Sequence, residues 1–113
     1  MKDLAPYQES LEMKELGFDE PCFGYYWEKL FYLKTTHCHP TTMPNSPESC
    51  SAPTFSQAFR FFREKYNLHH FIQFDGKEYL TYTYNYYITT KYKFQTYEEA
   101  ELACLKKLIK IVK

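Results

Sequence analysis

His37, Cys38 and His39 stand together in the stretch KTTHCHPTTMPNSPESC, and Cys50 closes it. Imidazole nitrogen and thiolate sulfur are the donors a tetrahedral zinc site takes, commonly as two short-spaced pairs. On an extended chain His37 and His39 point the same way and Cys38 points away. His37, His39 and Cys50 therefore make three candidate metal ligands, and a fourth must come from His69 or His70, elsewhere in the chain. No C-x-x-C and no H-x-x-x-H spacing is present, so the pattern fits no recognised metal framework. The reading is a polar segment with incidental ligand-type residues, and no metal or other cofactor is expected. The same residues put thiols beside histidines, yet nothing orients them and no G-x-S-x-G elbow occurs. No set of nucleophile, base and orienting group can be assembled, so the chain reads as a non-enzyme.

A second group suits binding rather than catalysis. Tyr82, Tyr84, Tyr86 and Tyr87 precede Lys91 and Lys93 in a strand-forming region. Flat phenol rings on a sheet can stack on nucleic-acid bases while lysines meet the phosphates. Tyrosine is equally favoured in strands for cross-strand packing, so the same six residues also describe a protein-binding surface.

The whole-molecule charge weighs between these. Fourteen Lys and Arg balance fourteen Asp and Glu in 113 residues, leaving a net charge of zero. A nucleic-acid or anionic-membrane binder draws its partner with a basic field, and this chain has no such field overall. The N-terminal MKDLAPYQESLEMKEL lacks the apolar core of a signal peptide, and no run is long enough to span a bilayer. A cytoplasmic location is therefore expected, with four reduced cysteines. Cys22 and Cys104 sit among apolar residues and read as buried small hydrophobes.

The elements that must position these groups are legible from periodicity and caps. Thr96-Tyr97-Glu98-Glu99 is a capping box. Behind it Tyr97, Ala100, Cys104, Leu105, Leu108, Ile111 and Val112 fall on one helical face. Glutamates crowd the start of this helix and lysines its end, as the macrodipole favours. Thr54-Phe55-Ser56-Gln57 opens a second helix to about Tyr66, with Asn67 as its stop and Phe55, Ala58, Phe59, Phe62 and Tyr66 as its buried stripe. Between them, Phe71–Phe74 and Lys77–Tyr84 flank Asp75-Gly76, which reads as a two-residue type I′ hairpin turn. That register sets Phe71 opposite Leu80 and Ile72 opposite Tyr79, leaving large apolar groups on both faces. A third strand, Tyr86–Phe94, alternates Thr90, Tyr92 and Phe94 with Lys91 and Lys93.

The first third repeats this grammar. Pro6–Leu16 forms a helix stopped by Gly17, and strands Phe23–Tyr26 and Phe31–Leu33 bracket Trp27-Glu28-Lys29-Leu30. The reading is one α+β domain over 1–113: a helix–hairpin half (1–33), a Pro-rich connector (34–53) and an α-β-β-β-α half (54–113). Its order is α-β-β-α-β-β-β-α, with helices packed on one face of an antiparallel sheet.

Two resemblances add to this. Residues 54–113 follow the element order of double-stranded-RNA-binding domains, and TYEEAELACLKKL is similar to the start of that family's last helix. In that family lysines at this helix start reach phosphates, whereas Glu98, Glu99 and Glu101 stand at the matching positions here. The resemblance therefore implies a scaffold without its usual RNA contact. The stretches MKELGFDEPCFGYY, APTFSQAFRFFREKYNL and TYEEAELACLKKLIKIVK resemble a group of small uncharacterised proteins of Bacteroidales and their phages or mobile elements. That resemblance implies a compact intracellular domain and brings no activity, ligand or catalytic residue. The expected function is a non-enzymatic interaction module binding a protein or a second copy of itself. Nucleic-acid binding through the tyrosine-rich sheet is the alternative, and no membrane is expected as partner.

Overall fold

The computed structural model describes residues 3–38, 49–85 and 89–113, with backbone alone at 33–38 and 89–91. The chain is α+β, with three helices and two three-stranded antiparallel sheets among the described residues. It divides into two compact units, Met1–Ser56 and Gln57–Lys113.

In the first unit α1 (Tyr7–Glu15) follows Pro6, whose fixed φ suits the entry to a helix. Gly17 takes φ 97° and ends it. The amides of Gly17 and Phe18 turn back to donate to the carbonyls of Lys14 and Met13, the Schellman pattern, with Phe18 and Met13 both buried. Strands β1 (Cys22–Trp27), β2 (Leu30–Cys38) and β3 (Cys50–Ser51) form a sheet in the order β2-β1-β3. Tyr25 pairs with Tyr32 on one side and with Ser51 on the other.

Two features of this unit differ from the sequence reading. The hairpin turn is only Glu28-Lys29, at φ 53° and 70°, and Trp27 and Leu30 already belong to the strands. Residues 34–38 and 50–51, read as connector, are strand. A two-residue strand carries no readable period, and Lys34-Thr35-Thr36 offers no apolar alternation to extend β2.

Gly24 explains how β1 and β2 approach. A Cβ at this position would lie 2.6 Å from the Phe31 ring and 2.6 Å from the Tyr32 carbonyl oxygen. Glycine is required here by space rather than by backbone angle.

The second unit takes most of α2 (Phe55–Tyr66), then β4 (His69–Phe74), β5 (Tyr79–Tyr84), β6 (Thr89–Phe94) and α3 (Tyr97–Val112). The α-β-β-β-α order expected for this part is present. Asn67 takes φ 52° and stops α2, and the Leu68 amide donates to the Phe62 carbonyl. Thr96 caps α3 by accepting from the Glu99 amide, and its hydroxyl donates to Glu99 Oε1. The sheet is a meander, β4-β5-β6.

The Asp75-Gly76 turn is not the expected type I′. Only Gly76 has positive φ, and Phe74 pairs with Tyr79, so the loop is four residues long. The Asp75 carboxylate accepts from the amides of Lys77 and Glu78, while its own amide donates to the Glu78 carbonyl. An Asx-type cap on the loop outcompetes the tighter turn. Phe71 therefore faces Tyr82, and Ile72 faces Thr81, rather than Leu80 and Tyr79. The slip is two residues, so every side chain keeps its face.

The helices cover one face of this sheet, although Leu80 on the other face is buried too. Thr81 and Thr83 are buried, and the Thr81 hydroxyl donates to the Tyr92 carbonyl at 3.4 Å beneath the buried Cys104 of α3. His70 stacks on Phe59 of α2 at 3.6 Å, and Tyr97 of α3 sets its edge to Tyr79. Both helices thus lie on one face, as expected. Ala100, Cys104, Leu105 and Leu108 of the expected α3 face are buried; Ile109 joins them, whereas Tyr97 is exposed. No described helix is long and apolar enough to cross a membrane.

Candidate functional site

The face of the second sheet that carries no helix of its unit is aromatic. Strand period places His69, Phe71 and Gln73 of β4 beside Tyr84, Tyr82 and Leu80 of β5, with β6 positions 89, 91 and 93 completing the rows. Phe71 lies parallel to Tyr82, with ring centroids 4.3 Å apart and 13° between planes. His69 stacks on Tyr84 at 5.5 Å, and Phe71 sets its edge to Tyr84 at 6.1 Å. These cross-strand ring pairs lie against one another across β4 and β5. Phe71 remains 45 % exposed and Tyr84 36 %.

Of the six residues expected to form the interaction surface, Tyr82 and Tyr84 meet on this face. Lys93 is exposed on it, and Lys91 takes the register position across from Tyr82. Tyr86 and Tyr87 lie outside the described residues. Phe71 and His69 complete the surface and were not among the six. Their signal was strand parity, which the two-residue slip left intact and which puts both on the face of Leu80, Tyr82 and Tyr84. At the end of the face Asn67, His69, Tyr84 and Asn85 line a recess of about 230 Å³, where the Asn67 side-chain oxygen lies 3.0 Å from His69 Nε2.

The first unit shows a counterpart that the sequence reading missed, although β1 alternates Phe23, Tyr25 and Trp27. Phe23 and Trp27 are exposed, as are Leu30 across from Trp27 and Tyr32 across from Tyr25. Tyr25 stacks on Tyr32 at 5.4 Å with 18° between planes. The opposite face meets α1: Tyr26 donates its hydroxyl to the Ala5 carbonyl and lies edge-on to Tyr7.

The metal and nucleophile candidates do not assemble among the described atoms. Cys50 is fully buried in β3, across from Tyr26. Burial pushes its thiol up to about 12 against the opposing charge of Lys14, so it stays protonated at neutral pH. His37 lies in β2 with only its backbone described, and His39 lies outside the described residues. His69 and His70 project from opposite faces of β4. His70, sandwiched against Phe59, is held down to about 4, first by burial and then by the positive charge of Arg63 and by His69. Cys22 and Cys104 are buried as expected. Cys104 is raised to about 12 by burial, with Glu101 adding and the Thr81 hydroxyl opposing. Among the described residues no group of three His, Cys, Asp or Glu is placed to hold a metal ion.

No family model matches the chain, and comparison with curated proteins and with solved structures gives no match either.

Proposed function

We propose that the chain is a non-enzymatic interaction module that binds a protein partner, or a second copy of itself, through the aromatic face of its second sheet. The observation that carries this reading is the half-exposed cluster of Phe71, Tyr82 and Tyr84 rings on the face opposite the helices. Covering these half-exposed rings removes on the order of 200 Å² of apolar surface from water, or about 5 kcal/mol. Association itself costs about 4–15 kcal/mol, so the rings act as anchors within a larger contact.

Sedimentation equilibrium up to millimolar chain, together with affinity capture from extracts, tests the reading with Phe71→Ser/Tyr84→Ser as the control. Self-association or capture of a partner is expected in the wild type, weakened tenfold or more in the variant. A chain that stays monomeric and captures the same proteins with or without the two rings overturns it. Lys93 beside the stacked rings supports a second reading, single-stranded nucleic acid. The absence of a low-salt gel shift at micromolar protein removes that one.

A further inference from the structure

On the helix side of the second sheet, β6 and α3 enclose a cleft of about 280 Å³ lined by Tyr92, Phe94, Ala103, Lys106, Lys107 and Lys110. Tyr92 is 53 % exposed, and Ala103 leaves room beside it. No described carboxylate pairs with any of the three lysines. Of the lysines read as dipole complements, only Lys110 lies in the last turn of α3, and Lys106 and Lys107 stand before it, where the dipole acts weakly. Among the described residues β6 is an end strand of its sheet, so main-chain groups along its outer edge pair with no other strand.

We infer that this cleft takes an extended acidic peptide segment, added as a fourth strand on β6 with its carboxylates on the α3 lysines. This goes beyond the aromatic face, which lies on the other side of the sheet. Three features select the ligand. The cleft is shallow and runs beside a strand edge that no described strand pairs with, which suits an extended chain. Its charge is positive and, among the described residues, paired with no carboxylate, which selects carboxylates. Carboxylates at every second residue of a strand are spaced about 6.7 Å, and Lys106 and Lys110, four residues apart on a helix, about 6 Å. The segment therefore carries acid-x-acid, its acids standing on the helix side beside Tyr92 and Phe94 and the residues between them on the opposite face. A polyanionic strand following β6 past Phe94 would instead meet Glu98 and Glu99 in the first turn of α3.

A displayed library of random octapeptides panned on the full chain tests this. Enrichment of Asp or Glu at alternate positions is expected. No enrichment, enrichment of basic residues, or acids without alternation overturns the inference. The enriched peptide, made synthetically and followed by fluorescence anisotropy, is expected to lose tenfold or more in affinity to Lys106→Glu/Lys110→Glu. Lys93→Glu, on the other face, is expected to leave it within twofold. Methylation of alternate peptide amides is expected to abolish binding; retention excludes strand addition. Displacement of the peptide by micromolar oligothymidylate reassigns the cleft to nucleic acid.

Discussion

The two hairpins reach the same surface by opposite turns. In the first, β1 and β2 are joined by Glu28-Lys29, two non-glycine residues at positive φ. In the second, β4 and β5 are joined by a four-residue loop although its sequence offers Asp75-Gly76. Each hairpin nevertheless puts stacked rings on one face, Tyr25 on Tyr32 and Phe71 on Tyr82, and its helix contacts on the other. Strand alternation and the need to bury one face decide which residues point outward. The turn only has to connect at the right parity. A local signal therefore yields where a carboxylate finds two amides, and is created under strain where the strands demand it.

The sharpest difference between the hairpins is Gly24, for which the second sheet has no counterpart. Gly24→Ala drives a methyl group into the Phe31 ring and the backbone oxygen of Tyr32. Strand rather than side chain must move, and a loss of about 1–3 kcal/mol is expected. Trp27, the single tryptophan, lies in the same hairpin, so urea unfolding followed by its fluorescence reads the effect directly. An unchanged midpoint means that β1 and β2 do not approach as closely as described.

What each hairpin shows its helix side gives the next test. The first shows Tyr26, whose phenol is raised above its ordinary value, chiefly by burial, and stays neutral through the acid range. The second shows His70, lowered to about 4. With the folded value below the unfolded one, near 6.5, the unfolded chain binds the extra proton. The stabilisation is complete above pH 6.5, is lost as pH falls towards 4, and changes no further below that. Allowing for solvent screening at a partly exposed ring, about 1–2 kcal/mol is at stake. Amide-exchange protection of β4 and β5 is expected to fall between pH 6.5 and 4. His70→Phe, which keeps a ring against Phe59, is expected to remove that slope. A slope that survives the substitution assigns the titration elsewhere.

Much of this was legible from residues alone, and the failures share a cause. The Thr96–Glu99 cap, the glycine and asparagine stops at 17 and 67 and most of the buried α3 stripe follow from short-range chemistry and period. The aromatic face around Tyr82 and Tyr84 follows from parity, which survived a wrong turn because the slip was even. Register, β3 and the β6–α3 cleft depend on what lies across the sheet or above it. Lys106 and Lys107 read only as complements to the helix dipole until Tyr92 and Phe94 of β6 are placed beside them.

The smallest expected effect bears on the turns themselves. Glu28 and Lys29 each hold a left-handed conformation that costs an L-residue with a Cβ about 1–2 kcal/mol. Replacing them by Asn-Gly supplies the two residue types that adopt it most readily. Glycine also loosens the unfolded chain, which returns part of the gain. A net stabilisation of roughly 1 kcal/mol is expected, read as a higher urea midpoint with an unchanged slope. The second hairpin shows why the gain belongs to the first alone. Asp75-Gly76 is already the favoured dipeptide, yet the Asp75 carboxylate spends its acceptors on Lys77 and Glu78 and leaves Asp75 outside the left-handed region. Had local preference chosen the turn, Asp75-Gly76 would close in two residues and Glu28-Lys29 would not. If Asn-Gly at 28–29 leaves stability unchanged, the strands of the first hairpin are not what forces its turn, and the contrast between the two hairpins fails.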